Sequence, residues 1–139
     1  MTRENTTVTV LPDGTFHGPC RTVYQGWVYS ESSYRDGLLW GTLRRYYPDG
    51  SLSVEANYSE GYLDGAYAEY RSGGGLLFSA FYRRGYLEGK NERFHPSGAL
   101  ALSSFYVAGR LSGPYTEYSE DGALQVSAHY LDGRLSGLG

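Results

Sequence analysis

Three histidines and one cysteine are the residues of this chain best suited to metal or nucleophile chemistry, and their spacing argues against both. His17, His95 and His129 lie far apart, no two of them at the short interval of a metal site and none beside a second thiol. Cys20 has only Arg21 as a basic neighbour, which reads as a half-buried thiol and not as an activated nucleophile. Gly85-Tyr-Leu-Glu-Gly89-Lys90-Asn91 has the outline of a phosphate loop. It has one residue too few between its glycines, and Asn91 stands where a Ser or Thr would meet the magnesium ion. Asp36, Asp49, Asp64, Asp121 and Asp132 sit on or beside turn glycines, where aspartate shapes a turn before it acts as an acid. No catalytic, metal or cofactor-binding set follows from these residues, and the chain is read as a non-enzyme.

Aromatic side chains carry the one chemistry that the sequence repeats. Tyr58, Tyr82, Tyr106 and Tyr130 form one column at intervals of 24 residues, and Tyr46, Tyr70, Phe94 and Tyr118 form another. Both are read first as the packed spine of a sheet. Their exposed margins are candidate partner-binding surface, since tyrosine offers a large apolar body and a hydroxyl at small entropic cost.

The same interval positions those columns. Tyr34 opens a phrase that recurs at Tyr58, Tyr82, Tyr106 and Tyr130: aromatic, two residues, Gly, three residues, Gly. A third glycine follows at Gly50, Gly74, Gly98 and Gly122. Glycine in so fixed a metre marks turns of a repeat array and not a flexible linker. Gly41 to Tyr47 and Ser51 to Tyr58 read as strands about the turn Pro48-Asp49-Gly50, so each copy is a hairpin. On the second strand Leu52, Val54, Ala56 and Tyr58 share one face, and later copies keep that face apolar. Residues 59 to 65 read as a longer link, with the Leu39, Leu63, Leu87, Leu111 and Leu135 column folded onto a sheet margin. No helical period is present.

The fold expected is all-β, an elongated antiparallel array of hairpins forming a meander or open solenoid of about nine to eleven strands. Residues 1–10 are an N-terminal leader or edge strand. The array fills 11–139, with a worn copy at 11–33, copies from 34, 58, 82 and 106, and a partial copy from 130. Leu135 to Gly139 stop where a further strand should begin, so the strand near Ala123 to Tyr130 is expected to present an unpaired edge, with the chain either self-associating through that end or being part of a longer array.

A net charge of -3 and no Lys/Arg run longer than two give no electrostatic footprint for nucleic acid. Met1 to Thr9 lack the apolar stretch of a signal peptide, no window reaches a membrane span, and a single cysteine suits a reducing compartment. The location expected is the cytoplasm.

The phrase Tyr58-Ser-Glu-Gly61-Tyr-Leu63-Asp-Gly65, followed by Tyr70 and Gly74, resembles a MORN repeat. It is closer to the variant found in bacterial antitoxin-like proteins than to the standard form, whose aromatic-glycine opening carries a Trp that this chain lacks. The resemblance covers residues 34 to 137, and 11 to 33 through the weaker copy. It implies a rod of β-hairpins that binds partners, frequently proteins, and in an older view phospholipid head groups. A non-catalytic protein-binding scaffold, antitoxin-like by resemblance, is therefore the leading functional expectation. The alternative is peripheral binding of anionic phospholipid through Arg83, Arg84, Lys90 and Arg93.

Overall fold

A computed structural model describes residues 4–138. Its strands are β1 Glu4–Val10, β2 Phe16–Tyr24, β3 Trp27–Arg35, β4 Leu38–Leu39, β5 Gly41–Tyr46, β6 Leu52–Ser59, β7 Tyr62–Tyr70 and β8 Leu76–Arg83. They continue with β9 Tyr86–Leu87, β10 Gly89–Phe94, β11 Leu100–Val107, β12 Arg110–Leu111, β13 Gly113–Tyr118, β14 Leu124–Leu131 and β15 Arg134–Leu138. Twelve of them follow one another across a single open antiparallel sheet from β1 to β15, and the two-residue strands β4, β9 and β12 pair with the ends of β3, β8 and β11. Eleven spacings of about 4.8 Å make a ribbon roughly 53 Å long. No helix is present among the described residues, and none is therefore long and apolar enough to cross a membrane.

From β3 onward two turn types alternate along the ribbon. Within a hairpin, the Gly50 amide donates to the Tyr47 carbonyl and the Tyr47 amide to the Ser51 carbonyl, closing a short loop around Pro48-Asp49. Asp49 accepts both the amide (2.8 Å) and the hydroxyl (2.6 Å) of Ser51, which holds its carboxyl below the usual range. The register shifts beside each such loop, between Arg45 and Tyr46 on the strand before it, so that Ser53 on the strand after it is the extra residue of a bulge, and the shift recurs at the equivalent places.

Between hairpins the chain reverses in two residues. Asp36, Glu60, Arg84, Ala108 and Asp132 have φ between 48° and 52°, and a glycine of positive φ follows each. Two consecutive left-handed residues are the type I′ turn, whose twist matches that of the strands it joins. The link expected over 59–65 is thus a turn at Glu60-Gly61 flanked by strand. Leu63 sits in β7 opposite Tyr58, and Leu39, Leu87, Leu111 and Leu135 are likewise opposite Tyr34, Tyr82, Tyr106 and Tyr130. These leucines are ladder residues and not a flap on the margin. Hence the strand number also exceeds the nine to eleven expected.

The N-terminal segment pairs with β2 as an edge strand. At the other end the expectation is corrected: Arg134–Leu138 form β15, paired with β14 from Ala128↔Leu138 to Leu131↔Arg134. The edge strands of the described sheet are β1 and β15.

Burial is confined to a line. Ala56, Ala80, Ser104 and Ala128, 24 residues apart, are at most 7 % exposed, and Cys20 and Asn91 complete the buried set. Each lies within a cross-strand pair on one face: Cys20↔Ser32, Leu43↔Ala56, Tyr67↔Ala80, Asn91↔Ser104 and Tyr115↔Ala128. A small residue at each centre lets larger neighbours close over it.

Candidate functional site

The face that carries the alanine line also carries the first aromatic column. Tyr58, Tyr82, Tyr106 and Tyr130 stand opposite Gly41, Gly65, Gly89 and Gly113. The missing side chain on the partner strand leaves room for each ring. Tyr67 packs edge-on against Phe78 (6.1 Å) and Tyr82 (5.7 Å), and Tyr115 against Tyr130 (5.6 Å).

The second column points the other way. Strand alternation puts Tyr46, Tyr70, Phe94 and Tyr118 on the face opposite Arg45, Glu69, Arg93 and Glu117. There the Tyr46 hydroxyl donates to Glu31 at 2.7 Å. The two columns named from sequence are thus brought to opposite faces of one layer. No aromatic ring is buried on either.

Register strings the first face into a row that crosses the strands. Arg45 lies opposite Val54, Val54 opposite Glu69, Glu69 opposite Phe78, and Phe78 opposite Arg93. Arg93 lies opposite Leu102, Leu102 opposite Glu117, and Glu117 opposite Val126. Charge and apolar residue alternate along it. The Arg45 and Arg93 guanidiniums lie over the rings of Tyr29 (5.9 Å) and Phe78 (5.5 Å). Glu69 and Glu117 accept the hydroxyls of Tyr67 (2.7 Å) and Tyr115 (2.9 Å). Burial and then the Glu117 hydrogen bond push the Tyr115 phenol up to about 12, and Tyr67 is raised by the same causes with Glu69. Charges on the other face behave differently: Arg44 and Glu55, on adjacent strands, form a 2.8 Å ion pair.

Sequence reasoning missed Tyr67, Tyr115 and the charged row. Tyr67 and Tyr115 are two repeats apart, so the signal is a period of 48 and not 24. The basic set Arg83, Arg84, Lys90 and Arg93 is not gathered in one place. Lys90 faces Glu92 at 3.5 Å, Arg93 lies over Phe78 on the opposite face of β10, and Arg83 and Arg84 stand at the turn.

The residues weighed for metal or nucleophile chemistry stand apart. His17 accepts the Asp36 amide at 3.3 Å. His95 donates through Nε2 to the Tyr118 carbonyl at 2.8 Å, a tautomer fixed because a carbonyl can only accept. Cys20 is buried and free. Among the described residues no three His, Cys, Asp or Glu side chains are grouped to hold a metal.

Two stretches of the chain, 41–60 and 111–132, match the family described as the MORN repeat variant. No curated protein matches the chain. Among solved structures, the crystal structure of the GtfA/B complex bound to UDP and GlcNAc is similar over 88 % of this chain at 15 % identity, with a TM-score of 0.38. The matched region is 23 % of that chain, so this protein spans under a quarter of its length.

Proposed function

We propose that this MORN-like array is a non-catalytic scaffold that binds a protein partner across its exposed aromatic and aliphatic side chains. The observation that carries the reading is the burial pattern. The buried apolar side chains among the described residues are the small ones of Cys20, Ala56, Ala80 and Ala128, while every tyrosine, phenylalanine and tryptophan is at least partly exposed. A sheet one layer thick cannot cover its own rings, and contiguous partly exposed apolar surface is what protein interfaces use. A cytoplasmic setting belongs to the same proposal. Its finer form is an antitoxin-like role, in which the bound protein is a toxin, supported by resemblance to the variant repeat.

Affinity capture with the full chain, followed by identification of bound proteins, tests this reading. Tyr82→Ala with Tyr106→Ala, and Tyr70→Ala with Phe94→Ala, address the two faces separately once circular dichroism shows that each variant folds. Loss of a partner in one pair is expected. Retention of every partner by both folded pairs would reject binding through the aromatic columns. Sedimentation with anionic liposomes at low salt addresses the lipid alternative, for which scattered basic residues give a weak footprint; strong pelleting would favour it over the protein scaffold.

A further inference from the structure

The alternating row narrows what kind of partner this face fits, and the inference rests on the protein-binding reading above. Arg45, Glu69, Arg93 and Glu117 follow one another with alternate sign, and one apolar residue separates each from the next. Two strand spacings place successive charges about 9.6 Å apart. None of the four forms an ion pair with another described residue. The fold thus holds two cations and two anions in one line with no ion pair among them. The cations are exposed and the carboxylates half-buried.

A chain lying along this line must present a side chain toward it about every 9.6 Å. A β-strand repeats a face about every 6.8 Å. An α-helix advances about 5.4 Å per turn. A polyproline II helix, with three residues per turn and about 3.1 Å rise, repeats a face about every 9.3 Å. Over three intervals its mismatch with the row is about 1 Å, within the adjustment of an arginine or glutamate side chain.

We propose that the row is a docking track for a polyproline II segment of a partner protein that carries acidic and basic residues alternately at every third position. Acidic residues of the segment meet Arg45 and Arg93, and basic ones meet Glu69 and Glu117. Prolines between them lie on the intervening apolar residues, with the Phe78 ring at the centre, as aromatic-lined grooves receive such helices. Because the order plus, minus, plus, minus differs from its reverse, the order of charges in the ligand sets its direction on the sheet.

Two labelled peptides of equal composition test this: Glu-Pro-Pro-Lys-Pro-Pro-Glu-Pro-Pro-Lys-Pro, and the same peptide with its charges in the order Glu, Glu, Lys, Lys. Fluorescence anisotropy with the full chain at low salt should show at least about tenfold tighter binding of the alternating peptide. Arg93→Glu should cost about tenfold, and a peptide whose third charge is changed from Glu to Lys should recover that loss on the variant. Arg45→Glu with the first charge changed is an independent second swap. Equal binding of both charge orders, lost with Phe78→Ala, overturns the track and leaves the protein-binding reading standing. Binding of neither peptide, or a swap without recovery, also overturns the track. Dimerisation of the chain abolished by Arg93→Glu would give the row to a second copy and overturn it too. Capture that finds no protein partner removes the parent reading instead.

Discussion

The amide of Gly61 donates to the carbonyl of Leu39 at 2.9 Å, tying the turn of one repeat to a strand of the repeat before it. Gly85 to Leu63, Gly109 to Leu87 and Gly133 to Leu111 repeat the bond. These glycines have two duties. Each takes a φ of 82° to 86°, where a β-carbon is strained, and each aims its N–H at the neighbouring repeat.

Gly109 and Gly133 separate steric from backbone cost. A β-carbon at Gly109 would stand 3.0 Å from Tyr86 Cδ1, whereas one at Gly133 would meet nothing within 4 Å, and both residues have nearly the same φ. Each alanine substitution should cost about 1–2 kcal/mol for the left-handed backbone. Gly109→Ala should cost up to about 1 kcal/mol more for pushing the ring aside. Urea unfolding of the two variants checks the difference; equal losses would show that Tyr86 yields freely.

A second set of ties runs along the opposite margin. The Tyr47 hydroxyl donates to the Tyr70 carbonyl (2.6 Å), Arg71 to the Phe94 carbonyl (2.9 Å) and His95 to the Tyr118 carbonyl (2.8 Å). Tyr47→Phe removes one donor and little else. It should cost about 1 kcal/mol and lower the melting temperature by a few degrees. No change in melting would mean that water replaces the hydroxyl at that carbonyl.

These two margins show what could and could not be read from residues alone. The fixed glycines and the Pro48-Asp49-Gly50 turn located the hairpins, because positive φ leaves a compositional trace. The links were misjudged because Glu60, Arg84 and Ala108 occupy left-handed positions where Asn, Asp or Gly is the usual sign. The Tyr47, Arg71 and His95 ties were invisible for another reason. Three unlike side chains perform one donor role at one repeat position, so a search for recurring residue types passes over them. The charged row hides because its sign repeats every 48 residues, twice the interval that fixes the fold.

Ala108 is the one residue without a polar side chain at the first place of these inter-repeat turns, with φ 50°. Asparagine tolerates that conformation better and is favoured before glycine in a type I′ turn. Ala108→Asn should stabilise the fold by about 0.5–1 kcal/mol, provided the Ala108 amide keeps its 3.0 Å bond to Glu88. A thermal scan checks the sign.

Tyr115 makes stability depend on alkaline pH. Its folded-state pKa of about 12 lies above the ordinary phenol value near 10, chiefly through burial and then through Glu117. A neutral form favoured by folding gives its full contribution below the unfolded value, and that contribution is lost as pH rises through the folded one. Stability should therefore fall between pH of about 10 and about 12, and Tyr115→Phe should lessen the slope. Urea denaturation across that range, followed with tyrosinate absorbance, measures both; an unchanged slope in the variant would assign the loss to other phenols such as Tyr67.

Removing whole repeats probes how the array is held. Contacts run between neighbouring strands in chain order, so stability is expected to be a sum of repeat and interface contributions. Deleting 58–81 joins Asn57 to Tyr82 and preserves the glycine metre, so the shortened chain should still unfold in one transition. Its urea m-value should fall by about a sixth, in proportion to the surface lost. That deletion also sets Arg45 next to Arg93 in the row, whereas deleting 58–105 sets Arg45 next to Glu117 and restores the alternation. Like charges about 9.6 Å apart in water repel by only about 0.4 kcal/mol, too little to block folding. Failure of the shorter deletion to fold would show that the doubled period is a requirement of packing, set by the Tyr67 and Asn91 positions, and that the sheet is built from pairs of repeats.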